Sequence, residues 1–198
     1  MARMSKMLSR IVLVGFVAAF GAARMEGRLQ TPRPDGKANP NALALADFQK
    51  RIKAYVELRN KLEQGSAEQK ETNDPARIRE AQVKLAERIR QARGNARPGD
   101  IFTPEIRAIF RRLMYPETQG REGRATKATI EADSPAAVPL KVNAPYPEGR
   151  PLPTVPANLL ANLPQLPEQL EYRIVDKHLI LRDVDANIIV DFIPNAIP

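Results

Sequence analysis

His178 is the chain's one histidine, and Asp176 and Asp183 stand near it, so the first chemistry to weigh is a general base oriented by a carboxylate. That chemistry needs a nucleophile. The four serines are Ser5, Ser9, Ser66 and Ser134; none lies near His178 in sequence and none occupies a Gly-x-Ser-x-Gly elbow. A histidine that opens a strand directly after a turn reads instead as an exposed edge residue. Asp183, Asp185 and Asn187 spell D-x-D-x-N, the opening of a calcium loop, yet such a loop next requires glycine and then glutamate where this chain has Ile188 and Pro194. Three side-chain oxygens fall short of the roughly six to eight that Ca²⁺ takes. Asp185 and Asn187 therefore read as turn formers, and Asp183 as a solvated residue on a polar strand face.

Composition removes further chemistries. With no cysteine, the chain has no disulfides, thiolate zinc sites, iron–sulfur clusters or cysteine nucleophiles, and a single imidazole cannot build a multi-histidine zinc site within one protomer. No Gly-x-Gly-x-x-Gly or Walker pattern occurs, and no tryptophan stands among the four tyrosines and six phenylalanines to line a sugar cleft. No catalytic, metal or cofactor-binding residue is assigned, and no cofactor is expected.

What remains is charge. The 198 residues carry a formal net charge of +8, and it is polarised along the chain. Residues 50 to 127 hold nineteen basic and eleven acidic side chains, whereas residues 128 to 198 hold five and nine. Arg79, Arg90, Arg93 and Arg97 fall near one helical stripe, and Arg107 and Arg111 extend the basic region. These six are the candidate contacts for an anionic partner: a lipid surface, an acidic envelope protein, or the acidic end of a second copy in a homo-oligomer. Nucleic acid is not expected, because no stacking aromatics interleave with these arginines.

The elements that must position these residues follow from periodicity. Arg3, Lys6 and Arg10 precede a 13-residue apolar run, Ile11 to Ala23, ending in small residues, which are the dimensions of an export signal over residues 1–23. This places the protein in the periplasm or outside the cell, with an uncleaved signal anchor as the alternative. No other stretch approaches the roughly 20 apolar residues of a spanning helix. A polar, proline-containing loop (residues 24–40) is expected to be disordered. Leu45, Phe48, Ile52, Tyr55, Val56 and Leu62 predict a helix from about Asn41 to Gln64. Asp74 and Pro75 open a second, whose stripe is Ile78, Ala81, Leu85, Ile89 and Ala92, and Thr103-Pro104-Glu105 opens a third. Together they make a basic helical region over 41–115.

From Tyr115 the order is expected to dissolve. Residues 116–132 are polar, and nine prolines among the 33 positions 135 to 167 argue for an extended linker over 116–157. Residues 158–198 change period. LEYRIV, HLILRDV and NIIVDFI predict a three-stranded antiparallel β-meander, in which Ile188, Val190 and Phe192 alternate with Ile189, Asp191 and Ile193. The fold class is α+β: a helical hairpin with a short third helix, a proline-rich linker, and the meander.

The run from Leu163 to Pro198 resembles a C-terminal module of small exported bacterial proteins, and more loosely is similar to the end of the periplasmic nickel/cobalt-homeostasis regulator family. The shared pattern is a proline-rich lead, an aromatic and basic strand such as Leu170 to Val175, a second strand ending in Asp183, and a final Ile/Val strand. The resemblance implies a periplasmic location and this local fold, with a role in metal tolerance for the regulators. One histidine and no cysteine offer nickel or cobalt little to bind, so no binding residue is carried across. The expected function is a non-catalytic accessory or interaction protein of the envelope. The alternative is a small hydrolase-like or metal-handling protein that uses His178 and Asp183.

Overall fold

The computed structural model describes residues 39–64, 73–134 and 138–198. The export signal expected over residues 1–23 and the loop at 24–38 lie outside them. Helix α1 (Pro40–Gln64) buries Phe48, Ile52, Tyr55 and Arg59, spaced by four, three and four residues, so a single stripe faces inward. Helix α2 (Pro75–Ala92) starts where Asp74 accepts the Ala76 N–H at 2.9 Å and Pro75 fills the first turn, and it buries Leu85, Ala86 and Ile89. Helix α3 (Pro104–Met114), capped by Thr103, buries Ile106, Ile109, Phe110 and Met114. The third helix packs on α1, as α2 does.

The sequence of 116–132 suggests no helix, but a 3-10 turn (Pro116–Thr118) leads into a fourth helix, α4 (Gly120–Asp133). Its two glycines, which read as helix breakers, are what admit it. Gly120 takes φ +68° at the helix entry, and at Gly123 a Cβ would come within 2.1 Å of the Thr118 backbone. The following residues 138–156 are proline-rich and extended, and they lie against the sheet instead of leaving it. Asn143 donates its N–H to the Ile189 carbonyl, Ile189 donates to Ala144, and Tyr146 donates to Asn187, which caps the outer edge of the last strand. One helical turn, α5 (Ala157–Leu160), buries Leu159.

The C-terminal sheet is the expected meander, β1 (Leu170–Val175), β2 (His178–Asp183) and β3 (Ile188–Ile193), paired antiparallel in the order β1-β2-β3. Strict alternation fails in β3. Arg182 pairs with Ile189 but Leu181 pairs with Asp191, so Val190 is an extra residue and the strand bulges there. The bulge reverses the parity of the residues after it. Asp191 joins Leu181 on the helix-facing side, while Phe192 turns to the other face and packs near Val175, Ile180, Ile189 and Tyr146.

Both faces of the sheet are therefore covered. Tyr172, Ile174, Leu179, Leu181, Ile188 and Ile193 share one core with the helices, and Val138, Leu140, Tyr146 and Leu152 from the proline-rich segment cover the opposite side. Phe48 stacks on Phe102 at 5.8 Å, Phe110 meets both edge-on, and Tyr172 meets Phe110 edge-on at 5.9 Å. These rings join α1, α3 and β1 at the centre of the molecule. The described residues belong to one compact unit.

Candidate functional site

The charged groups of the sheet's helix-facing side form two buried constellations. The first is built on α1, where Tyr55 and Arg59 are one turn apart, and on the β2 end and the β2–β3 turn. Asp183 is fully buried: Oδ2 accepts the Tyr55 hydroxyl at 2.7 Å, Oδ1 accepts the Ala186 N–H at 2.8 Å, and Arg59 Nε stands 3.5 Å away. Arg59, itself 3% exposed, also engages Asp185 and Glu63. The strand pattern puts Asp183 in solvent. It is instead buried, because three protein groups replace the water that an isolated carboxylate would need. Burial still pushes its pKa up, against the opposing pull of the Ala186 N–H, the Tyr55 hydroxyl and Arg59. Burial, and then the Asp183 charge, holds the Tyr55 hydroxyl well above the usual phenol range, so it acts here as a donor.

The second constellation centres on Asp191, also fully buried. Its Oδ2 accepts the N–H groups of Ile101 and Phe102 at 2.9 and 2.8 Å, and Oδ1 accepts those of Gly99 and Phe192 at 3.0 and 2.7 Å. The loop before α3 is thereby fastened to β3 by one carboxylate. Nothing in the strand pattern flags this residue in advance, because only the bulge turns it inward. Arg59 did carry a signal, since a charged residue at an apolar-stripe position of α1 implies a buried partner.

On the opposite face, Glu171 accepts from Arg173 and Arg182, and Arg182 Nε donates to Asn187 at 2.9 Å. Asn187 adopts φ +50°, the left-handed turn conformation. The D-x-D-x-N side chains are therefore taken up by protein partners, Asp183 and Asp185 by Arg59 and Asn187 by Arg182. Among the described residues no group of three or more His, Cys, Asp or Glu could hold a metal ion. His178 and Asp183 open and close β2, five residues apart and of opposite parity, so they face opposite sides at a span of roughly 17 Å. No shared site gathers them. His178 Nδ1 accepts the Asn195 N–H at 3.1 Å, and its Nε2 stands 3.9 Å from Asp176.

The six candidate arginines divide in two. Arg93 lies with its guanidinium 5.1 Å from the Tyr55 ring centre, donating to Asn143 Oδ1 at 2.8 Å and reaching the Val190 carbonyl. Arg107 donates to the Phe102 carbonyl at 2.7 Å, and Arg111 to the Pro194 carbonyl at 2.8 Å. Arg93 thus ties the end of α2 to Asn143 and β3, Arg111 ties α3 to the C-terminal segment, and Arg107 closes α3 onto the loop that precedes it. Arg79, Arg90 and Arg97 are exposed, and among the described residues no ion pair or hydrogen bond reaches their guanidinium groups. A shallow polar groove beside Arg90 and Arg97, of about 630 Å³ including open solvent, is lined by Gln91 to Ala96 and Asp100.

Fold and site together define an α+β protein whose buried carboxylates join a meander to a helical layer and whose second helix presents arginines with no partner among the described residues. No protein-family model, curated protein or solved structure matches the chain. No described helix is long and apolar enough to cross a membrane.

Proposed function

We propose that the chain is an exported, non-catalytic accessory protein of the cell envelope that binds an anionic partner through the exposed side of α2. The observation that carries this reading is the division of labour among its charged groups. Asp183 and Asp191 are saturated by the fold, while Arg77, Arg79, Arg90 and Arg97 stand in solvent with their guanidinium groups unengaged among the described residues. Charges taken up inside a structure serve its stability; charges in solvent on α2, with Arg97 just beyond its end, are available for association. Location in the envelope rests on the Arg3, Lys6 and Arg10 flank with its apolar run, and on the C-terminal resemblance to exported proteins.

Two measurements test this. A reporter fused after Pro40 should appear outside the cytoplasm, and a cytoplasmic reporter with an intact N-terminal peptide would refute export. Affinity capture from envelope extract should recover an anionic partner with the wild-type chain and lose it with Arg79→Glu/Arg90→Glu. Equal recovery by both would remove the basic helix from the function.

A further inference from the structure

The chain's one histidine stands where the C-terminal segment docks. Residues 194–197 fold back onto the start of β2. The N–H groups of Ala196 and Ile197 both donate to the Lys177 carbonyl, at 2.7 and 3.2 Å, and the two residues are buried in the core shared by the sheet and the helices. Arg111 of α3 donates to the Pro194 carbonyl at 2.8 Å. Between these ties the Asn195 N–H donates to His178 Nδ1 at 3.1 Å. A carbonyl accepts at any pH and a guanidinium keeps its charge, but an imidazole nitrogen accepts only while it carries no proton. Imidazole is also the side chain whose charge ordinarily changes between about pH 5 and 8.

We propose that His178 is a pH-sensitive latch for the C-terminal segment, holding Asn195 as a neutral ring and pairing with Asp176 as a cation. The ring stands between two partners that require opposite protonation states. The Asn195 N–H needs the lone pair of Nδ1, and a proton on that nitrogen sets two N–H groups against each other. Asp176 of the β1–β2 turn, 3.9 Å from Nε2, forms an ion pair only with the imidazolium. Each state of the ring therefore has one partner and forfeits the other, as a two-state element requires. The charged groups of the surrounding elements divide the same way. Lys177 in the turn and Arg111 across the docked segment oppose a further positive charge. Asp176 favours it, as does Asp133 at the end of α4, the neighbour of the Ser134 hydroxyl that accepts the Asp176 N–H at 3.1 Å. Docking is strongest where the ring is neutral and weakens as pH falls through its titration. Ala196 and Ile197 are then unseated, and acid exposes apolar surface beside the β1–β2 turn.

With a single histidine, the imidazole proton resonances of the full-length chain report His178 alone. Docking is read in the same samples by amide exchange, expressed as protection factors so that the intrinsic pH dependence of exchange divides out. The protection factors of Ala196 and Ile197 should fall about three- to tenfold with the midpoint of the ring titration, the change expected from one lost hydrogen bond. Amides of the β1–β2 ladder should keep theirs, which separates undocking from global unfolding in acid. His178→Asn offers a carbonyl oxygen near the Nδ1 position and cannot titrate, so its Ala196 and Ile197 protection should stay level across the same range. Asp176 adopts φ +55°, a conformation asparagine tolerates, so Asp176→Asn keeps the turn and removes the imidazolium's partner. In that variant the transition should move to lower pH. Protection that persists through the ring titration, or that falls equally in His178→Asn, overturns the latch. A transition that Asp176→Asn leaves in place overturns the exchange of partners.

Discussion

Tyr55 on α1 and Asp183 on β2, 128 residues apart in sequence, meet in a 2.7 Å hydrogen bond inside the protein. The face of the same tyrosine ring lies beneath Arg93. One side chain thus connects the first helix, the end of the second and the middle strand, and it explains why a charged strand residue can point into the core.

Truncating this pair should separate its two members by cost. Asp183→Ala leaves Arg59 buried without its strand partner and the Tyr55 hydroxyl without an acceptor, and should destabilise by about 3–5 kcal/mol. Tyr55→Phe removes one hydrogen bond to a carboxylate that keeps Arg59 and the Ala186 N–H, and should cost about 1.5–3 kcal/mol. Urea unfolding of both single variants and the double variant measures the coupling. Additive costs would mean that the two residues act independently.

Asp191 should prove sensitive to truncation, because it is the buried acceptor for the loop before α3. Asp191→Ala strips four backbone N–H groups of their acceptor, and those of Ile101 and Phe102 are buried, at about 1–3 kcal/mol for each buried donor left unpaired. Hydrogen exchange provides the local readout. The Ile101 and Phe102 amides should lose protection before the β1–β2 ladder does, and uniform loss across the sheet would contradict a local fastening role.

Helices α1 to α3 and the three strands were legible because their signals are short-range, whereas α4 was not. Asp74 with Pro75, Thr103 with Pro104, and the β-branched runs after Leu170 act within a few residues, and the structure places α1 to α3 and the meander there. Three features were not legible for one shared reason: each depends on a partner far away in sequence. The side to which Asp191 points follows from the extra residue at Val190, the burial of Asp183 from Tyr55 and Arg59, and the course of 138–156 from the sheet face it covers. The basic face was half legible. Sequence spacing places Arg90 and Arg93 near one stripe, but only tertiary packing decides that Arg93 is spent on Tyr55 while Arg90 stays in water.

Gly123 tests whether α4 depends on close backbone approach. Its Cβ position lies 2.1 Å from the Thr118 carbonyl carbon and 2.6 Å from the carbonyl oxygen, both rigid main-chain atoms. Ordinarily Gly→Ala within a helix gains about 1 kcal/mol from propensity. Here Gly123→Ala should instead lower the thermal midpoint, with a net cost of about 1–3 kcal/mol from overpacking. A substitution to alanine at a solvent-facing position of the same helix, Thr129→Ala, is the comparison. A raised midpoint for Gly123→Ala would show that the 3-10 turn can move away from α4 freely.

Glu171 gives the pH test, and its sign follows from its two arginine partners. Burial alone would raise its pKa, but hydrogen bonds from Arg173 and Arg182 outweigh burial and hold the carboxyl below its usual range. A carboxylate depressed in the folded state contributes stability that is present above the unfolded value of about 4.3 and disappears as pH falls through the folded value. Glu171→Gln removes that contribution and keeps the side-chain shape. At neutral pH the variant should be less stable than wild type by about 1.5–3 kcal/mol, the range for hydrogen bonds to a charged group. Below pH of about 4 the difference should shrink toward zero as wild-type Glu171 becomes neutral like its replacement. Taking the difference between the two proteins at each pH cancels the titration of the carboxylates they share, including Asp183, whose shift has the opposite direction. A difference that stays constant down to the acid limit would mean that Glu171 acts through packing, and that its charge contributes nothing to holding β1 against β2.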